Sequence, residues 1–132
     1  MGLESNLQSR VLEYLNGLSG CRAENVSGNA NQSGRPDING CYYGRMFKIE
    51  LKSPDHKYEP TKKQRLELRK WANAGCVIAV AYTLDFVKDL FENGNWDPPT
   101  DFHCDDQRKD GCHSWYHIPP MKGAKLHHGF SK

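Results

Sequence analysis

Pro36-Asp-Ile-Asn-Gly-Cys-Tyr-Tyr-Gly-Arg-Met-Phe-Lys-Ile-Glu-Leu-Lys52 decides the reading of this chain. Its second half alternates. Phe47, Ile49 and Leu51 point one way along a strand, and Met46, Lys48, Glu50 and Lys52 point the other. Its first half, Asp37 to Tyr42, is a second strand, opened by Pro36, which disfavours helix at Arg35. The two form a hairpin that turns near Tyr43-Gly44, with Asn39-Gly40 a competing turn signal.

Glu50 and Lys52 share a strand face, and a turn near Tyr43-Gly44 brings Asp37 beside Glu50. Two neighbouring carboxylates repel unless a positive charge intervenes. Magnesium suits the arrangement, since it takes oxygen ligands and commonly binds one or two carboxylates with water and phosphate oxygens. Such an ion would polarise a phosphate and acidify a bound water. Lys52 on the same face would orient that water and stabilise developing charge.

Upstream, Leu7, Val11, Leu15 and Leu18 recur at helical spacing, with Glu4 one turn ahead on the same stripe and Gly17 and Gly20 marking the end. Residues 27 to 36 are almost without apolar side chains and read as a flexible loop. Downstream, Ser53 to Pro60 is a polar loop. A helix runs from about Thr61, its cap, to Ala74, and Gly75 stops it. Cys76 to Tyr82 is an unbroken apolar run, hence a buried strand. Thr83 caps a last helix that reaches about Glu92, with Leu84, Val87, Leu90 and Phe91 facing inward.

The expected order is α-β-β-β-α-β-α: an α/β fold with a mixed β-sheet flanked by helices. A crossover through the helix joins parallel strands, and the hairpin adds antiparallel ones. Residues 1–92 form the core. Residues 93–132, with no periodicity, are expected to be an irregular extension packed on the core or at a subunit interface.

Two polar residues on apolar stripes are further candidates: Glu4, and Gln64, which shares a helix face with Leu68 and Trp71. The competing reading is that both sit at helix ends and meet solvent. Lys57, Lys62, Lys63, Arg65, Arg69 and Lys70 cluster after Lys52 and could neutralise phosphates, or simply form a solvated helix face. Arg35 and the loop before it could close on DNA, or that loop could be a plain connector.

Composition sets bounds. The chain has 132 residues, a length that suits one domain, and its net charge of +2 neither announces nor excludes a nucleic-acid partner. No apolar run approaches the ~20 residues that span a bilayer, and the first residues lack the pattern of a signal peptide. The expectation is a cytoplasmic protein, in a host cytoplasm if viral. Five scattered cysteines do not suggest a disulfide framework. The His and Cys residues of the tail lack a Cys-x2-Cys pair, which speaks against zinc.

Glu4 on an opening helix, Gly34-Arg-Pro-Asp37, Glu50-Leu-Lys52 and Gln64 together resemble the PD-(D/E)xK nuclease superfamily and, within it, the VRR-Nuc (virus-type replication-repair nuclease) domain. Lys52-Ser-Pro, Pro60-Thr-Lys-Lys-Gln64 and Trp71-Ala-Asn-Ala-Gly75 are similar to further segments of it. The resemblance covers about residues 1–92. It implies a restriction-endonuclease-like fold and a DNA endonuclease or exonuclease using Mg2+ or Mn2+. Asp37, Glu50 and the Leu51 backbone carbonyl would hold the metal and Lys52 would be catalytic. Glu4 and Gln64 would complete the site, with Glu4 a candidate metal ligand. Arg35, Lys57, Lys62, Lys63 and Arg65 would face DNA. Stand-alone family members are often viral or phage-encoded homodimers acting on branched DNA such as four-way junctions. The alternative is a DNA-binding or assembly module that keeps the fold without cleavage.

Overall fold

A computed structural model describes residues 2–26, 34–96, 101–104 and 113–120, the side chains of 101 and 102 excepted. The elements are α1 (Leu3–Asn16), β1 (Cys21–Asn25), β2 (Ile38–Tyr42), β3 (Arg45–Leu51), α2 (Lys62–Asn73), β4 (Val77–Ala81), α3 (Leu84–Asn93), β5 (Asp101–Cys104) and β6 (Trp115–Ile118). One mixed sheet of order β1-β2-β3-β4-β6-β5 runs through the molecule. The β3–β4 pair is parallel and all others are antiparallel.

The alternation of β3 builds two cores. On one face Phe47, Ile49 and Leu51 meet Leu7, Val11 and Leu15 of α1 and Phe86, Val87, Leu90 and Phe91 of α3. On the other face α2 lays Leu68 against Ile78, Val80 and Tyr82. The charged face of β3 is therefore covered: Lys48 and Glu50 are both buried. The Lys48 ammonium sits 3.9 Å from the centre of the Trp71 ring, a cation–π contact that offsets part of its desolvation.

The hairpin turns at Tyr43-Gly44, where φ is 46° and 85°. The competing signal at Asn39-Gly40 lies within β2 for a packing reason. A Cβ on Gly40 would stand 2.2 Å from Phe47 Cζ and 2.6 Å from the Arg22 carbonyl, so this glycine permits close approach rather than a turn.

Three features differ from the sequence reading. The third of the expected early strands, left without bounds, is Cys21–Asn25, where Ala23 alone is buried. Cys41, whose apolar surroundings in the sequence suggest a buried thiol, is half-buried in β2. After residue 92 the structure has two strands where irregular chain was expected. β6 pairs with β4, turning Tyr116 and Ile118 into the main core, and β5 pairs with β6. Their four-residue lengths are too short to show period-two patterning. Residues 27–33 of the expected loop, and residues 97–100, 105–112 and 121–132 of the expected extension, lie outside the described residues. Among the described residues no helix is long and apolar enough to cross a membrane.

Buried Arg45 is a fixture that the sequence reading missed. Its guanidinium donates to the carbonyls of Trp96 (2.5 Å), Gly75 (3.3 Å) and Pro119. One side chain thus ties the ends of α2, α3 and β6 to the hairpin.

Candidate active site

The β2–β3 register pairs Ile38 with Ile49, and continuing it by one pair sets Asp37 opposite Glu50. Asp37 is fixed there by the next residue of β3: Leu51 N–H donates to Asp37 Oδ2 at 2.8 Å. N–H and C=O of one strand residue point to the same side, so the Leu51 carbonyl also faces Asp37. Gly34 holds the preceding segment close to α2. Its φ is +89°, and a Cβ there would meet Lys63 Cγ at 2.9 Å.

Gln64 arrives from the first turn of α2 through a capping box. Thr61 accepts from Gln64 N–H at 3.1 Å, and Gln64 Oε1 accepts from Thr61 N–H at 2.8 Å. The amide's other end donates from Nε2 to Glu50 Oε2 at 2.8 Å. Lys52 lies on the same face, its Nζ 3.7 Å from Glu50 Oε2.

The electrostatics are unbalanced. Burial pushes Asp37 up to about 6, against the pull of the Leu51 N–H. Burial, then the Asp37 charge, pushes Glu50 up to about 9, outweighing the ammonium of Lys52. Glu50 Oε1 is buried with no hydrogen-bond partner. Two apposed carboxylates, one orphaned oxygen and a backbone carbonyl on the same side form a donor set that fits a hard, oxygen-seeking cation. Asp37, Glu50 and the Leu51 carbonyl are the groups that could hold it.

The remaining expected residues divide. Glu4 is exposed at the start of α1 and adds negative charge that raises both carboxylates. Among the described residues no three His, Cys, Asp or Glu side chains come together as a metal cluster. Arg35, Lys57, Lys62, Lys63 and Arg65 are all exposed. Arg65 also serves structure: it donates to the Pro60 carbonyl at 2.5 Å and lies 3.9 Å from Glu59. A cavity of about 530 Å³ lies elsewhere, at the Tyr43-Gly44 end of the hairpin among Tyr42, Phe91 and Trp96. Strand rise puts it ~20 Å from the carboxylates.

A solved structure titled "VRR_NUC domain" matches this chain with a TM-score of 0.60, covering 72% of this chain and 100% of that one at 22% identity. The fold is that of a VRR-Nuc domain. No protein-family model and no curated protein matches the sequence. The VRR-Nuc likeness speaks for the fold, and what the chain does rests on the chemistry of its own side chains. On this VRR-Nuc scaffold the carboxylate pair, Gln64 and Lys52 meet where β3 ends, between the start of β2 and α2.

Proposed function

We propose that this chain is a Mg2+- or Mn2+-dependent DNA endonuclease that hydrolyses phosphodiester bonds, selectively in branched DNA such as four-way junctions. The observation that carries this reading is the apposition of half-buried Asp37 with buried Glu50, with Lys52 on the same strand face. Withdrawing two neighbouring acids from water, one wholly and one in part, is costly, and a structural role would be served better by an apolar pair.

A divalent cation held by Asp37, Glu50 and the Leu51 carbonyl would polarise the scissile phosphate and acidify a water. The chain's own groups do the rest. Gln64 fixes the Glu50 carboxyl through one hydrogen bond, leaving Oε1 for the ion. Lys52 Nζ orients the attacking water and offsets charge on the phosphoryl oxygens. Arg35, Lys57, Lys62 and Lys63 are exposed around this edge and suit phosphate contacts that position the strand.

Symmetric cutting of a branch needs paired sites, so the reading includes a homodimer. The direct test incubates the protein with plasmid and four-way-junction DNA in magnesium, manganese or EDTA. Metal-dependent cleavage that disappears in Asp37→Ala and Lys52→Ala supports the reading, and binding without cleavage in every condition refutes it.

A further inference from the structure

Lys52 has a neighbour that the sequence reading did not single out. The β3–β4 register pairs Leu51 with Ala81, and Lys52 N–H continues it by donating to the Ala81 carbonyl at 3.0 Å. Lys52 and Tyr82 therefore stand side by side, one strand spacing of about 4.8 Å apart. Tyr82 belongs to the face of Val80 and Leu68, the face that also carries Glu50 and Lys52.

His56 lies against that tyrosine. The two rings are parallel within 7°, with centroids 4.4 Å apart. His56 N–H donates to the Ser53 carbonyl at 3.0 Å, closing a turn directly after Lys52. Ends of such a turn stay within about 7 Å, so His56 is held close to Ser53, the residue after Lys52. Tyr82 Oη pins the same loop a second time by donating to the Tyr58 carbonyl at 2.8 Å.

The backbone at His56 has φ +57°, the left-handed region, which strains a residue with a side chain. A turn alone would be served at less cost by Gly or Asn. Here the strained position carries a half-buried imidazole, braced on a fully buried ring whose residue stands next to Lys52 across the sheet. Strain held in place by surrounding structure points to use of that side chain.

We propose that His56 is a substrate-contacting residue of this site, its imidazole hydrogen-bonding a phosphate oxygen of the DNA beside Lys52. The inference rests on the nuclease reading above and deepens it. The opposing account is that His56 only pins the loop through its stack on Tyr82. His56→Phe separates the two, because it keeps an aromatic ring for Tyr82 and removes both ring nitrogens. His56→Gly removes the ring and relaxes the backbone, and carries the same test if the Phe variant does not fold.

The measurements are melting temperature, affinity for four-way-junction DNA with calcium in place of magnesium, and single-turnover cleavage in manganese. The expected result is a melting temperature for His56→Phe near that of the wild type, with cleavage slowed by at least about tenfold. A His56→Phe protein, or a folded His56→Gly protein standing in for it, that cleaves and binds within twofold of the wild type overturns the inference and leaves the nuclease reading intact. A wild type that binds but does not cleave refutes the nuclease reading, and the inference is then decided by whether His56→Phe weakens binding. A wild type that neither binds nor cleaves overturns both.

Discussion

Gln64 Nε2 donates to Glu50 Oε2 at 2.8 Å, while Gln64 Oε1 accepts the N–H of Thr61, also at 2.8 Å. One amide thus caps a helix and sets the rotamer of a buried acid. Thr61→Ala and Gln64→Ala should each lower stability by about 1 kcal/mol, measured by urea unfolding. Only Gln64→Ala should also weaken manganese binding, by about tenfold in calorimetry, because only it frees the Glu50 carboxyl. Equal metal affinity in the two variants would show that the Glu50 contact plays no part in ordering the site.

The pH dependence follows from the two raised carboxyls. Asp37 at about 6 and Glu50 at about 9 bind protons more tightly in the folded chain than in the unfolded one. The folded state therefore holds more protons above pH ~4, and stability falls as pH rises, through about 6 for Asp37 and about 9 for Glu50. Metal-free protein should melt at a lower temperature at pH 8 than at pH 5, and Glu50→Gln should remove most of that slope. Magnesium binding displaces those protons, so its affinity should increase with pH over the same range. A melting temperature in EDTA that rises from pH 5 to pH 8 would contradict the assignment.

Arg45 gives a stability prediction remote from the site. Arg45→Met strips a donor from the carbonyls of Gly75, Trp96 and Pro119. A loss of about 3 kcal/mol is expected in chemical unfolding. The Asp37–Glu50 end should keep its metal affinity if the protein remains folded. A loss below ~0.5 kcal/mol would mean that these contacts are dispensable.

Much of the site was legible because strand registers convert sequence spacing into geometry. Glu50 and Lys52 are two apart on a strand, and a turn at Tyr43-Gly44 makes Asp37 the partner of Glu50. Gln64 was legible as a polar residue on an apolar stripe and through the family resemblance, and its double use emerges from the capping box. The charged face of β3 gave no sign that α2 covers it, because Lys48 is accommodated by a ring, Trp71, far along the chain. Arg45 opens a strand and reads as a surface residue until three distant carbonyls converge on it. His56 sits in a polar loop, and nothing in the sequence marks its left-handed backbone or its stack on Tyr82. β1 has a single buried side chain, Ala23, too little for a pattern.

Gly40 tests the register itself. Gly40→Ala would drive a Cβ to within 2.2 Å of Phe47 Cζ and 2.6 Å of the Arg22 carbonyl. Displacing that ring should cost about 2 kcal/mol in unfolding experiments. A neutral substitution would argue that the hairpin pairs differently, and with it that Asp37 does not face Glu50.

Crystals of the protein grown with manganese, measured at a wavelength where that metal scatters anomalously, address the central claim most directly. The account expects one strong peak bridged by the Asp37 and Glu50 carboxylates, within about 2.2 Å of their oxygens and of the Leu51 carbonyl. A manganese-soaked crystal with both carboxylates ordered and no peak between them would contradict it.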